Sequence, residues 1–162
     1  GARILARALG FGGISDGSNM AQPGLDSMIR CIEAALGDAE VAPDEIDYIN
    51  AHATATTHGD LAEARAIAKV FGDTVPVSAL KGYIGHTLGA SGTIELIACL
   101  EMMAGDYIIP TGKLRDIDPE CSIIRHQLTF ESQRIRRIVK SSFGFGGMNA
   151  VLVFGGYDNG SC

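Results

Sequence analysis

The 162-residue sequence lacks most of the features that mark a chain for a particular partner. No run of Lys and Arg is long enough to track a phosphate backbone, and 13 basic residues stand against 19 acidic ones for a net charge of −6. The densest basic group, Arg134, Arg136, Arg137 and Lys140, alternates with Ile135 and Ile138, so it reads as one solvated strand face and no nucleic acid is expected. The four cysteines, Cys31, Cys99, Cys121 and Cys162, include no C-x-x-C pair. Without a secretory signal, they imply reduced thiols and a cytoplasmic protein rather than a zinc or disulfide framework. His52 and His58 lack the H-E-x-x-H spacing, so no metal is expected, and His58 and His126 are given surface roles. The longest apolar stretch, residues 88–104, contains Gly89, Gly92, Glu95 and Glu101 and falls short of a ~20-residue membrane span.

What is present is glycine: 21 residues, or about 13%, against ~7% in average usage, which implies many tight turns and close backbone approaches. A charged fraction of 20% beside 46% hydrophobic residues excludes a disordered or fibrous chain. The length suits a single domain or one half of a larger unit.

Residues 2–10 read as a strand ending in the glycine-rich loop Gly10-Phe11-Gly12-Gly13. Residues 24–36 place Leu25, Met28, Ile29, Ile32, Ala35 and Leu36 on one helical stripe, and residues 60–71 do the same with Leu61, Ala64, Ile67 and Phe71. Strands are expected at 46–50 and 75–78, and a third helix over 88–104. Further strands fall at 107–110, 123–129, 138–142 and 150–154. The order β-α-β-α-β-α-β-β is that of a layered α/β domain over residues 1–156, with residues 157–162 as a patternless, disordered tail. Both Gly10-Phe-Gly-Gly13 and Gly144-Phe-Gly-Gly147 begin like a dinucleotide fingerprint. Neither has its last glycine, and the second joins two strands, so no phosphate-binding helix N-terminus follows.

Four places could carry chemistry. His52 directly follows a strand, in Asn50-Ala-His-Ala-Thr-Ala-Thr56, and the carboxyl ends of strands are where open α/β sheets bind ligands. Position alone leaves a hydrogen-bonded structural histidine as the equal alternative. Thr54 and Thr56 put two hydroxyls on one side of an extended segment among small residues, which suits either a narrow polar channel or an ordinary turn. His86, in Lys81-Gly-Tyr-Ile-Gly-His86, precedes an apolar helix whose N-terminus disfavours a nearby cation, so a neutral ring is expected. Lys81 lies in apolar surroundings that weaken a simple solvated reading, with Glu63 as the candidate counter-ion.

Taken together, His52-x-Thr-x-Thr56, Lys81, Gly85-His86 and Ser142-Phe-Gly-Phe-Gly-Gly-x-Asn149 resemble the β-ketoacyl-[acyl carrier protein] synthases. The likeness covers roughly residues 2–156 and corresponds to the C-terminal half of such an enzyme. It implies a thiolase-like fold, with this chain supplying one βα half, a five-stranded mixed sheet with helices, of an αβαβα enzyme. Carried over by position, His52 and His86 look like the two active-site histidines, with Lys81 and Glu63 completing their polar cluster. Thr54 and Thr56 resemble the threonines that contact the phosphopantetheine arm. Phe143 resembles the residue whose backbone N–H helps bind the thioester oxyanion, and Phe145 the phenylalanine that gates the acyl pocket.

The resemblance further implies acyl carrier protein as partner, a homodimer, and no cofactor beyond phosphopantetheine-borne substrates. The family's nucleophilic cysteine belongs to the N-terminal half, and no cysteine here has its setting, so the chain alone is expected to form no carbon–carbon bond. A chain-length-factor-like partner subunit is the alternative reading. Ala53 and Ala55 stand where the family usually has Gly, and Gly or Ser, so strain is expected if the backbone there takes φ > 0.

Overall fold

The computed structural model describes residues 2–17 and 24–157. Residues 158–162 of the expected tail, Cys162 among them, lie outside the described residues. The chain runs β1 (Ala6–Ser15), α1 (Leu25–Ala39), β2 (Tyr48–Asn50), α2 (Thr57–Phe71), β3 (Pro76–Ser78) and the single turn α3 (Lys81–Ile84). It continues with α4 (Ser91–Gly105), β4 (Tyr107–Ile108), β5 (Arg125–His126), β6 (Glu131–Ser132), β7 (Arg137–Phe143) and β8 (Met148–Gly156). Six strands form one mixed sheet in the order β1-β8-β7-β2-β3-β5, and β4 and β6 form a separate pair. The sixth strand beyond the expected five is β5, a two-residue edge on β3.

Period-two alternation divides the sheet between two cores. Ile49, Val139 and Val153 turn toward α1 and α2, where Met28, Ile32, Ala35, Ala64 and Ile67 are buried. Their sequence neighbours Tyr48, Ile138 and Phe154 turn the other way, toward Cys99 and Met102 of α4. The helical stripe of α1 is as read from sequence, with Arg30, Glu33 and Ala34 left to solvent.

Gly10-Phe-Gly-Gly13 is not a loop but the middle of β1. Every second residue there faces α1: a Cβ on Gly10 would lie 2.3 Å from the Ala39 nitrogen, and one on Gly12 2.2 Å from the Cys31 carbonyl oxygen. The glycines let a helix sit directly on the strand. The second glycine cluster does turn, joining β7 to β8, with Gly146 (φ 73) and Gly147 (φ 70) in a conformation that L-residues avoid.

The third helix also differs from its reading. Residues 88–90 form a 3-10 turn, and α4 begins at Ser91. Its apolar circumference is buried on one side only: Cys99 and Met102 are inside, while Ile94 and Ile97 are 37% and 54% exposed. One sheet covers one side of a cylinder. By length and composition Leu88–Gly105 could cross a membrane. Its seat on the sheet and its fully buried Glu95 make it a core helix here.

Candidate active site

Three parallel strands end at the same edge of the sheet. Asn50 at the end of β2 is in register with Ser78 of β3 and Lys140 of β7, so the segments that follow deliver His52, Lys81 and Phe143 to one place. The His52 and His86 rings meet nearly edge to face with centroids 5.5 Å apart, and the Phe143 ring stands 6.2 Å from His52 on another side. Around them opens a cleft of about 790 Å³, bordered by Thr54, Thr56, Ser142, Phe145 and Met148. Thr54 Oγ1 and Thr56 Oγ1 lie 3.1 Å apart at its wall. Phe145, 79% exposed, stands at the rim.

Glu63 reaches the site from α2 but is not the counter-ion of Lys81. Its two carboxylate oxygens accept the backbone N–H groups of His52 (2.7 Å) and Ala53 (2.8 Å), fixing the start of the histidine loop. Burial pushes its carboxyl above the usual range, opposed by those two hydrogen bonds and by Lys81. The partner of Lys81 is Glu95 of α4, which has no exposed surface and also takes Lys140 Nζ at 2.7 Å on its other oxygen. That second contact is a charge contact rather than an aligned hydrogen bond. Lys140 is thus 5% exposed, not part of a solvated face. β7 lies between β2 and β8 and is covered on both sides, so a side chain turned toward α4 has no route to water.

His52 is held neutral. Burial, aided by Lys81, Lys140 and His86, lowers its pKa to about 3, with only the Phe143 backbone acting the other way. Its Nδ1 is buried without a hydrogen-bond partner among the described residues. The helix N-terminus invoked above does not reach His86, because α4 starts five residues on. His86 Nδ1 accepts the Leu88 N–H at 3.1 Å and lies 3.0 Å from Ser91 Oγ. With Nδ1 engaged by the Leu88 amide, Nε2 is the ring nitrogen left to donate. Both rings are then available as donors to an oxygen gaining negative charge.

The loop between them is strained. Ala53 (φ 33) and Ala55 (φ 61) adopt left-handed conformations, as anticipated from their departure from glycine. Behind this loop lies a second cavity of about 310 Å³, which shares Asp60 and Glu63 with the cleft and is bordered by Cys121 and His126. His126, read as a surface residue, is half-buried there, its Nε2 2.8 Å from the Cys121 carbonyl oxygen. His58 is exposed.

Residues 4–115 match the family described as Beta-ketoacyl synthase, C-terminal domain. The chain belongs to that family. This ketosynthase domain is similar to 3-oxoacyl-[acyl-carrier-protein] synthase 1 of Haemophilus influenzae, 39% identical over 98% of the chain and 39% of the relative. To the enzyme of the same name in Escherichia coli it is 37% identical, over 94% of the chain and 37% of the relative. Among solved structures it superposes on a beta-ketoacyl synthase from Burkholderia phymatum with a TM-score of 0.94 and 39% identity, covering 97% of this chain and 39% of that one. A type II polyketide ketosynthase in complex with its acyl-carrier protein gives a TM-score of 0.90 at 32% identity, over 97% of this chain and 40% of that one. The ketosynthase domain therefore spans about two fifths of the length of the proteins it matches.

Sequence reasoning missed Glu95 and Lys140. Glu95 carried a usable signal: a carboxylate in the middle of a helix apolar all round is rarely left unpaired if the helix is buried. Lys140 carried none, because its neighbours alternate as they would on a wet edge strand.

Proposed function

We propose that the protein carrying this domain is an acyltransferase, a 3-oxoacyl-[acyl carrier protein] synthase that joins malonyl and acyl units. An acyl group passes from its carrier to a cysteine thiolate supplied from outside this chain, releasing the carrier's phosphopantetheine thiol. Malonyl-carrier protein then enters beside Thr54 and Thr56 and loses CO₂; the electron pair of the broken C–C bond passes into an enolate. The enolate carbon attacks the acyl thioester, the cysteine thiolate leaves, and 3-ketoacyl-carrier protein is the product. No dissociable cofactor takes part, and the whole protein acts in the cytoplasm as a homodimer.

The observation that carries this reading is the pair of imidazoles with centroids 5.5 Å apart at one wall of a cleft of about 790 Å³. Preorganised donors lower the barrier where negative charge appears, and removing one typically costs ~10²–10³ in rate. Glu63 fixes the backbone beneath His52, and Phe143 and Phe145 border the thioester and acyl sides. The named relatives support the reading, since those in Haemophilus influenzae and Escherichia coli are 3-oxoacyl-[acyl-carrier-protein] synthases.

Expected in the whole protein, His52→Ala and His86→Ala each abolish malonyl decarboxylation while labelled acyl donor still loads the cysteine. The enolate exists only in the later step. Equal loss of loading would show that the histidines build the nucleophile instead. A second reading, a non-catalytic chain-length-factor-like subunit, is favoured by one observation: the domain also superposes on the ishigamide ketosynthase/chain length factor, at 35% identity and a TM-score of 0.89. The residue at the nucleophile turn of the whole protein separates the two.

A further inference from the structure

Two lysines and two glutamates are buried beneath the histidine pair. Glu63 spends both oxygens on backbone N–H groups, and Glu95 is shared by Lys81 and Lys140. One ammonium would suffice for Glu95 alone; the second balances the four-group cluster. A lysine in the middle of a central strand is costly to bury, so its retention calls for a compensating role. Lys140 Nζ also donates to Ser142 Oγ (2.8 Å) and to the Ser141 carbonyl oxygen. Ser142 borders the cleft and precedes Phe143, whose ring stands against His52.

We infer that Lys140 is a positioning residue of the condensation chemistry, holding the end of β7 against His52 and cancelling a buried negative charge that would oppose the anionic thioester oxygen. This rests on the function proposed above. The charged and titratable groups around His52 and Lys140 are Asp60 and Glu63 from α2, Lys81 from α3, His86 from the loop after it, and Glu95 and Cys99 from α4. Without Lys140 the three carboxylates Asp60, Glu63 and Glu95 face one ammonium, Lys81, instead of two. His52 then loses one of the positive charges that hold its ring neutral, and it protonates at higher pH. An imidazolium beside a surplus carboxylate is trapped in an ion-paired state instead of waiting as a neutral donor.

The test uses the whole protein with Lys140→Met and Lys140→Gln, the second keeping hydrogen-bonding capacity without charge. Ring-labelled histidine NMR follows His52, assigned against His86→Gln. In the parent the His52 ring stays neutral down to about pH 5, as expected of a group titrating near 3. In both variants it is expected to begin protonating above that. Malonyl decarboxylation should lose about tenfold in kcat, less than the ~10²–10³ of a direct donor. Its acid limb should move to higher pH, and KM for malonyl-carrier protein should change less than about twofold, since no substrate contact is lost. An unmoved His52 titration overturns the inference, as does a loss uniform across pH or carried by KM. Failure of both variants to fold also overturns it, making Lys140 a member of a structural ion pair. Should the parent show no decarboxylation, the functional reading falls, and the His52 titration still decides whether Lys140 sets that ring's charge.

Discussion

Replacing Ala53 and Ala55 by glycine should stabilise the protein, although Ala→Gly ordinarily does the reverse. Both residues have positive φ, 33° and 61°, where the methyl crowds the following carbonyl at roughly 1–2 kcal/mol per L-residue. Glycine removes that strain but frees the unfolded chain, which offsets about 0.4–1 kcal/mol at each site. The net expectation is about 1 kcal/mol per site. The two positions share one loop, so the double variant need not give the sum. For a protein of ~150–250 residues each kcal/mol moves Tm by about 2–4 °C. Thermal melts and urea midpoints of Ala53→Gly, Ala55→Gly and the double variant supply the measurement, with Ala34→Gly as control. Ala34 is exposed on α1, where glycine should cost about 0.8–1.0 kcal/mol. If the loop variants lose stability as the control does, the left-handed conformations are not strained and the reasoning fails.

Two further outcomes follow from the same loop. His52 titrates at about 3 in the folded chain against ~6.5 when unfolded, so between those values the unfolded chain binds more protons. Stability is therefore unaffected by His52 above about pH 6.5 and falls by up to a few kcal/mol as pH drops toward 3; urea midpoints at pH 7 and about pH 4.5 should diverge more in the parent than in His52→Asn. Glu63→Ala should cost about 3 kcal/mol by removing two charge-assisted hydrogen bonds, whereas Glu63→Gln, which keeps one acceptor, should cost less; equal unfolding midpoints for the two would refute the backbone-fixing role.

The layered order of elements was legible because α1 and α2 each bury a single stripe, and three- and four-residue spacing survives in composition alone. The glycines of β1 misled because the same residue type serves turns and close helix contact; only the position of α1 on the strand separates the two. His52, His86 and Lys81 were found through their order along the chain, and the structure brings them to one edge of the sheet. What failed was pairing. Glu63 and Glu95 are both helix carboxylates within reach of the sequence argument, and the choice between them for Lys81 depends on which face of the sheet each helix covers. Lys140 looked solvated because nothing local to residues 134–140 reveals that β7 is a central strand.

That centrality has a consequence for how the molecule comes together. β7 joins β2 in parallel although Asp47 and Arg137, which bond at the head of the pair, are separated by 90 positions. β1 acquires its partner only from β8, near the far end of the chain. Pairings so distant in sequence form late, because loop closure must precede any reward from contact. Until they form, α1 and α2 have only fragments of a sheet to lie on, and the apolar stripes that define them are open to wrong associations. As the chain leaves the ribosome, His52 and His86 emerge first and wait for residues 137–156 to give them a wall. The cleft is thus among the last features to exist, and a chain interrupted before β7 has both histidines and no cleft around them.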